Sequence, residues 1–248
     1  MPYRALFFDL FGTLVLFKPK VPTISVAGTT WRSTMHWLQE HVERELPGVS
    51  YEDFIASMVT VTEEIVRARP PEYREVLSHE RFARALERIA IRHPDPDALA
   101  RRLSLRHMDH LAASTETPGA HVDLLRRLAG RYQTALISNF DHAPTARRVL
   151  DDHGLAPFLK ATLISADFGR RKPHPAIFHA ALEALGTDAS ETLYIGDTLA
   201  DDVAGARAAG MDAVWINPSG AELQPGSPQP AHTIARLTDL SDLLASLE

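Results

Sequence analysis

A handful of short stretches put reactive side chains beside a glycine or at the end of an apolar run. They are Asp9-Leu10-Phe11-Gly12-Thr13, Ser138-Asn139, Lys172, Asp197 and the pair Asp201-Asp202. Carboxylates gathered at one place make a hard oxygen environment suited to Mg2+, which combines carboxylates with waters and substrate phosphate. An aspartate can also act as a covalent nucleophile. A turn at Gly12 would present backbone N–H groups to an anion. Ser138 would add a hydroxyl donor and Lys172 a fixed positive charge, so that together they could hold a phosphoryl group.

Residues so far apart in the chain need a scaffold that brings them together. Ala5-Leu6-Phe7-Phe8 is a continuous apolar run ending at Asp9, as expected of a parallel strand buried on both faces. After Pro118-Gly119 the pattern alternates regularly. Strands are predicted at Thr134–Ser138, Thr162–Ser165, Leu193–Ile195 and Ala213–Ile216. Helices are predicted at Ala120–Arg131, from Pro144 to Gly154, at Pro175–Leu185, Asp201–Ala209 and Asp239–Leu247, with a loop over 217–230. Such alternation implies right-handed crossovers and a doubly wound α/β fold with a parallel sheet. Ligands bind such sheets beyond the carboxyl ends of the strands, where the reactive residues fall.

Between residues 28 and 113 the pattern changes to amphipathic helices, expected at Trp31–Leu46, Tyr51–Arg69, Glu72–Arg92 and Pro96–Ala112. Breaks fall at Pro47-Gly48, Pro70-Pro71 and Pro94-Asp95-Pro96, and no strand is expected among them. The expected organisation is therefore one α/β domain from residues 1–14 and 116–248, with an all-helical insertion over 15–115.

Composition removes several classes of function. Of 248 residues, 45% are hydrophobic and 23% charged, which excludes a disordered or low-complexity chain. A net charge of -6 gives no electrostatic reason to expect nucleic acid as a partner. The chain lacks cysteine, so disulfides and thiolate chemistry are out. Apolar stretches are too short for a membrane span and no leader precedes the first strand, so a cytoplasmic protein without membrane contacts is expected.

FFDLFGTL, LISN, RRKP and IGDTLADD, in that order, resemble the four motifs of the haloacid dehalogenase (HAD) superfamily. The helical insertion resembles that family's cap, placed between motifs one and two, over a Rossmann-like core. The resemblance implies that Asp9 is the nucleophile, forming a covalent ester with substrate, and that Thr13 supports its loop. It makes Ser138 the phosphate or carboxylate binder and Lys172 the motif-three lysine. Leu10, Phe11, Gly12 and Asn139 would complete the substrate site. Mg2+ would be held by Asp9, Asp197, the backbone carbonyl of Phe11 and a second motif-four acid. Asp202, three residues before Gly205, matches that acid, and Asp201 is a second candidate.

Phe11 is a departure. Phosphatases of the superfamily usually carry a second Asp there as general acid, whereas an aromatic is more typical of 2-haloacid dehalogenases, whose halide leaves without a proton. The GDTLADD segment is unlike the dehalogenase motif four and favours a metal. The implied activity is a Mg2+-dependent phosphomonoester phosphatase acting on a small metabolite. The alternatives are a metal-independent 2-haloacid dehalogenase using the same Asp9 ester, or a weakly active binding or regulatory homologue. His107 and His110 are expected at the surface, Trp31 in the helical bundle, and Lys18 and Lys20 in solvent. Trp31, Arg32 and His36 form a weaker substrate-contact candidate. Phosphonate hydrolysis is disfavoured because no lysine lies between Lys20 and Lys160 to form a Schiff base.

Overall fold

The computed structural model describes residues 3–26 and 29–247; the side chains of residues 24–32 lie outside the description. The chain begins with strands Ala5–Phe8 (β1), Leu16–Phe17 (β2), Thr23–Val26 (β3) and Thr29–Arg32 (β4). Four helices follow: Gln39–Glu45 (α1), Tyr51–Arg67 (α2), Ser78–Arg88 (α3) and Pro96–Ala113 (α4). Then come Thr115–Glu116 (β5), Gly119–Ala129 (α5), Gln133–Ser138 (β6), Ala143–Asp152 (α6) and Ala161–Ile164 (β7). Next are Ser165–Phe168 (α7), Pro175–Leu185 (α8), Thr192–Gly196 (β8) and Ala204–Ala208 (α9). The chain closes with Asp212–Ile216 (β9), His232–Ile234 (β10) and Leu240–Ser246 (α10). Two compact units result, Met1–Leu16 with Glu116–Glu248, and Phe17–Thr115.

The first unit is a doubly wound α/β fold. Its sheet runs β10-β9-β8-β1-β6-β7 with every pairing parallel. β1 lies inside the sheet and all four of its residues are fully buried, which is why the sequence there is apolar without alternation. Ala5 and Phe7 face a core with Ile137, Phe178, Tyr194 and Trp215. Phe8 is level with Leu136 on β6 and Ile195 on β8, so the carboxyl ends of three neighbouring strands finish side by side. Pro175 opens α8, and Gly186 ends it in the left-handed conformation.

The second unit packs its helices around a core that includes Leu38, Phe54, Phe82, Leu86 and Leu103. Phe54, Ile55, Met58, Val61 and Ile65 share the buried face of α2 at helical spacing, and Ser50 caps it by accepting from the Asp53 backbone N–H. Asp95 caps α4 in the same way, with Pro96 in the first turn.

The unit departs from the expected all-helical pattern in its first third. β3 and β4 pair as an antiparallel hairpin where no strand was expected. The expected Trp31–Leu46 helix begins only after Ser33, whose hydroxyl caps a 3-10 turn over Thr34–Leu38 before α1. The Glu72–Arg92 helix shortens to α3, because the Leu77 N–H donates to Glu80 and fixes the start there. In the α/β unit, the expected helix from Asp201 opens with a wider π-helical turn at Leu199–Val203, and β10 adds a strand not foreseen. The packing expected of Trp31 and the substrate contacts considered for Trp31 and Arg32 concern side chains outside the description.

Candidate functional site

β1 hands Asp9 to the sheet's carboxyl edge, where its N–H still donates to Ile195 O at 2.9 Å. The chain then turns sharply: Gly12 N donates to Val15 O and Val15 N to Leu10 O. Leu10 is buried beneath this loop, and Phe11 stands half-buried with its ring 4.9 Å from that of Phe140. Gly12 has φ +92, and a Cβ there would lie 2.2 Å from Asp197 Oδ2. Only glycine allows both the left-handed turn and that approach. Gly196 is similar in close approach, since a Cβ would sit 2.4 Å from the Asp202 carboxyl carbon.

Lys172 is the centre of the site. It is 2% exposed, and its Nζ donates to Asp9 Oδ1 at 2.6 Å, Asp202 Oδ1 at 2.7 Å, Tyr194 OH at 2.8 Å and Ile137 O at 2.9 Å. Asn139 holds the lysine's backbone in place. Its Oδ1 accepts from Lys172 N, and its Nδ2 donates to Lys172 O and to Asp201 Oδ2. Asp202 Oδ1 also accepts from Tyr194 OH, and its Oδ2 from Thr198 N. Asp197 Oδ1 accepts from Thr198 Oγ1, while its carbonyl accepts from Trp215 Nε1 at 3.0 Å.

Carboxylate oxygens of Asp9, Asp197 and Asp202 lie within 4.8 Å of one another. One ammonium cannot balance three such charges. Burial raises Asp9 to about 7 against the pull of Lys172, with Asp202 and Asp197 adding repulsion. Asp197 is raised as well, by burial and then by the charge of Asp202. Burial works against the Lys172 ammonium, but Asp202 and Asp9 outweigh it and hold the group charged. The Tyr194 phenol is pushed well above its usual value by burial and by Asp202, so it is a neutral donor. These donors fit a divalent cation: hard oxygens, close together, carrying more negative charge than the chain offsets. Both oxygens of Asp202 already accept from the chain, which leaves Asp9 and Asp197 the more available pair.

Two hydroxyls follow the site segments in the chain, Thr13 next to Gly12 and Ser138 as the last residue of β6. Ser138 Oγ and Thr13 Oγ1 are buried without a hydrogen-bond partner. Buried polar atoms are seldom left so, and the loss is made good when a ligand supplies the partner.

The structure thus brings Asp9, Lys172, Asp197 and Asp202 into one cluster and ties Asn139 and Asp201 to its edge. Tyr194 and Trp215 were missed by sequence reasoning, because a buried aromatic inside a strand reads as core. In the helical unit the expectation for His107 is corrected. It is buried, with Nε2 2.8 Å from Thr34 Oγ1, and burial followed by the charge of Arg81 lowers it to about 3. α4 turns that face onto Phe82 rather than to solvent. His110 is half-buried against Trp37, His36 and Lys20 are exposed, and the exposed Lys18 donates to Ala113 O.

Residues 3–210 match the family model for haloacid dehalogenase-like hydrolases. The glyceraldehyde 3-phosphate phosphatase of Pyrococcus abyssi is 35% identical over 114 residues, 44% of this chain and 46% of that protein. The chain spans about half the length of the curated relatives it matches. A 2-haloacid dehalogenase from Pseudomonas syringae pv. Tomato superposes with a TM-score of 0.73 and 25% identity, covering 99% of this chain and 100% of the other. The magnesium-bound HAD-hydrolase YfnB of Bacillus subtilis shares the fold, at TM-score 0.68 and 22% identity over 99% of this chain and 100% of its own. With its fold, its ordered motifs and this match in agreement, the chain belongs to the haloacid dehalogenase-like hydrolases.

Proposed function

We propose that the protein is a Mg2+-dependent phosphomonoester phosphatase acting on a small metabolite through an aspartyl-phosphate on Asp9. The observation that carries this reading is the Asp9–Asp197–Asp202 cluster around a single buried ammonium. A metal-free dehalogenation would leave that excess of carboxylate without a use.

Asp9 attacks phosphorus, and the bond to the leaving alkoxide breaks as the aspartyl-phosphate forms. Lys172 holds Asp9 Oδ1 and so fixes the rotation of the carboxylate for attack. Ser138 Oγ and Thr13 Oγ1 donate to phosphoryl oxygens, which supplies the partners they lack. The Gly12 N–H is taken by Val15 O and is not offered to an anion, and Asn139 acts by holding Lys172. Water then cleaves the aspartyl-phosphate and returns Asp9. Bound to Asp9, Asp197, Asp202 and the Phe11 carbonyl, Mg2+ would neutralise charge on the phosphoryl group. Phe11 cannot protonate the alkoxide, so that proton comes from solvent, and good leaving groups are favoured. The helical unit takes the family's cap role of selecting substrate.

A second reading has its own support. Phe11 and the likeness to the Pseudomonas syringae dehalogenase favour 2-haloacid dehalogenation through the same Asp9. Turnover in oxygen-18 water separates the two. Hydrolysis of a carboxylic ester at its acyl carbon writes solvent oxygen into Asp9, whereas attack on phosphorus writes it into phosphate. Labelled phosphate with an unlabelled Asp9 peptide is expected; a labelled Asp9 peptide after turnover of 2-chloropropionate would replace the phosphatase reading. The third possibility, a homologue that binds but turns over poorly, predicts neither label.

A further inference from the structure

Tyr194 belongs to none of the four motifs, yet its hydroxyl lies within the charged centre. The ring is fully buried on β8, edge-on to Phe178 at 5.3 Å, so the residue cannot reach substrate. Its hydroxyl forms a closed triangle with two site groups: 2.8 Å from Lys172 Nζ, 2.9 Å from Asp202 Oδ1, with those two 2.7 Å apart. We propose that Tyr194 is a positioning residue that keeps the Lys172 ammonium on Asp9 by sharing the hydrogen-bond demand of Asp202.

The sharing of donors at Asp202 gives the reason. An ammonium has three protons. Nζ has four acceptors between 2.6 and 2.9 Å: Asp9 Oδ1, Asp202 Oδ1, Tyr194 OH and Ile137 O. Of these four only the tyrosine can also donate, and the nearer of its two acceptors is Asp202 Oδ1 at 2.9 Å, with Ile137 O at 3.3 Å. Asp202 is thereby served by two donors on one oxygen and by Thr198 N on the other. Without the phenol the three ammonium protons would match the three remaining acceptors, but Lys172 would be the sole donor left to Asp202 Oδ1, and that carboxylate would draw the ammonium toward itself. Asp9 would then lose the contact that fixes its rotation.

The inference rests on the reading of Asp9 as nucleophile, so the test carries a control for that reading. Parent, Tyr194→Phe, Tyr194→Leu and Asp9→Asn are compared on p-nitrophenyl phosphate with Mg2+, with melting temperatures recorded for each. Tyr194→Phe keeps the ring against Phe178 and removes only the hydroxyl. The expected result is a fall in kcat of ~10-fold with KM within about 2-fold, the loss of one hydrogen bond to charged groups. Tyr194→Leu should melt lower but show a similar kcat per folded molecule. A Lys172 Nζ resonance shifted in Tyr194→Phe gives a second reading that needs no turnover. A purely structural role predicts the reverse: a parental kcat and parental Nζ resonance in Tyr194→Phe, with defects confined to Tyr194→Leu. That pattern, with Asp9→Asn inactive, would overturn the role of Tyr194 alone. Turnover retained in Asp9→Asn would overturn the functional reading and this proposal with it.

Discussion

Asp9 is held in the folded protein under an electrostatic load. Burial raises it to about 7 from an ordinary 3.8 even with Lys172 at 2.6 Å. A carboxyl raised on folding contributes stability that is complete below the unfolded value and is lost as pH rises through the folded one. The metal-free protein should therefore become less stable between about pH 4 and pH 7, through this group. Asp9→Asn removes the load at constant shape. In chelator it should melt higher than the parent at pH 8, with the gap closing at pH 5, while all hydrolysis is lost; calorimetry at the two pH values with a turnover assay tests both halves. Phe11 supplies the complementary prediction. Phe11→Asp puts a carboxylate two residues beyond Asp9, and turnover of alkyl phosphates should rise by up to roughly 10²-fold, with little change on activated aryl phosphates. Phe11 packs on Phe140, so melting must be followed alongside rate. At this scale the sequence is informative where a reactive type sits at a strand end, as Asp9, Ser138 and Asp197 do, whereas Lys172 follows β7 only after the short helix α7. It is silent on Tyr194 and Trp215, whose polar atoms turn into the site from side chains that otherwise build the core.

Loops at the sheet edge hold these groups to within a hydrogen bond, and two glycines make that possible. Gly12→Ala would force both a left-handed alanine, at roughly 1–2 kcal/mol, and displacement of the Asp197 carboxylate that a Cβ would meet at 2.2 Å. Turnover and Mg2+ binding should both fall sharply while β1 and its neighbours stay folded; parental Mg2+ affinity by calorimetry would contradict that account of the loop. Most strands and helices of the α/β unit, β10 excepted, were legible because each keeps one period throughout, as the α8 segment does between Pro175 and Gly186. β3 and β4 were not, being four residues each with no clear alternation beside strong helical signals. The turn at Leu199–Val203 hid in a helical pattern, although it sets Asp202 toward Lys172 and Asp201 toward Asn139. His107 was misplaced because it lies on the buried face of α4, at helical spacing with Ala100, Leu103, Ser104 and Met108, although His110 one turn on is only half-buried.

Each unit of the molecule has an apolar core of its own. Phe82→Ala opens a cavity beside Phe54 and His107 and should cost the helical unit about 3–5 kcal/mol. Denaturant unfolding followed by circular dichroism tests this, and a loss under 1 kcal/mol would show that Phe82 is not needed for that packing. Among the described residues no helix is long and apolar enough to cross a membrane. The family match extends over residues 3–210, which spans Asp9, the helical unit and Asp202. What the whole molecule does with that site turns on the three clustered carboxylates. The most direct test is a paired assay of the purified protein, reading phosphate release from an aryl phosphate and halide release from 2-chloropropionate, each with Mg2+ and with chelator. The account predicts phosphate release with Mg2+, none with chelator and no halide under either condition. Halide release that persists in chelator, without phosphate release, would contradict it.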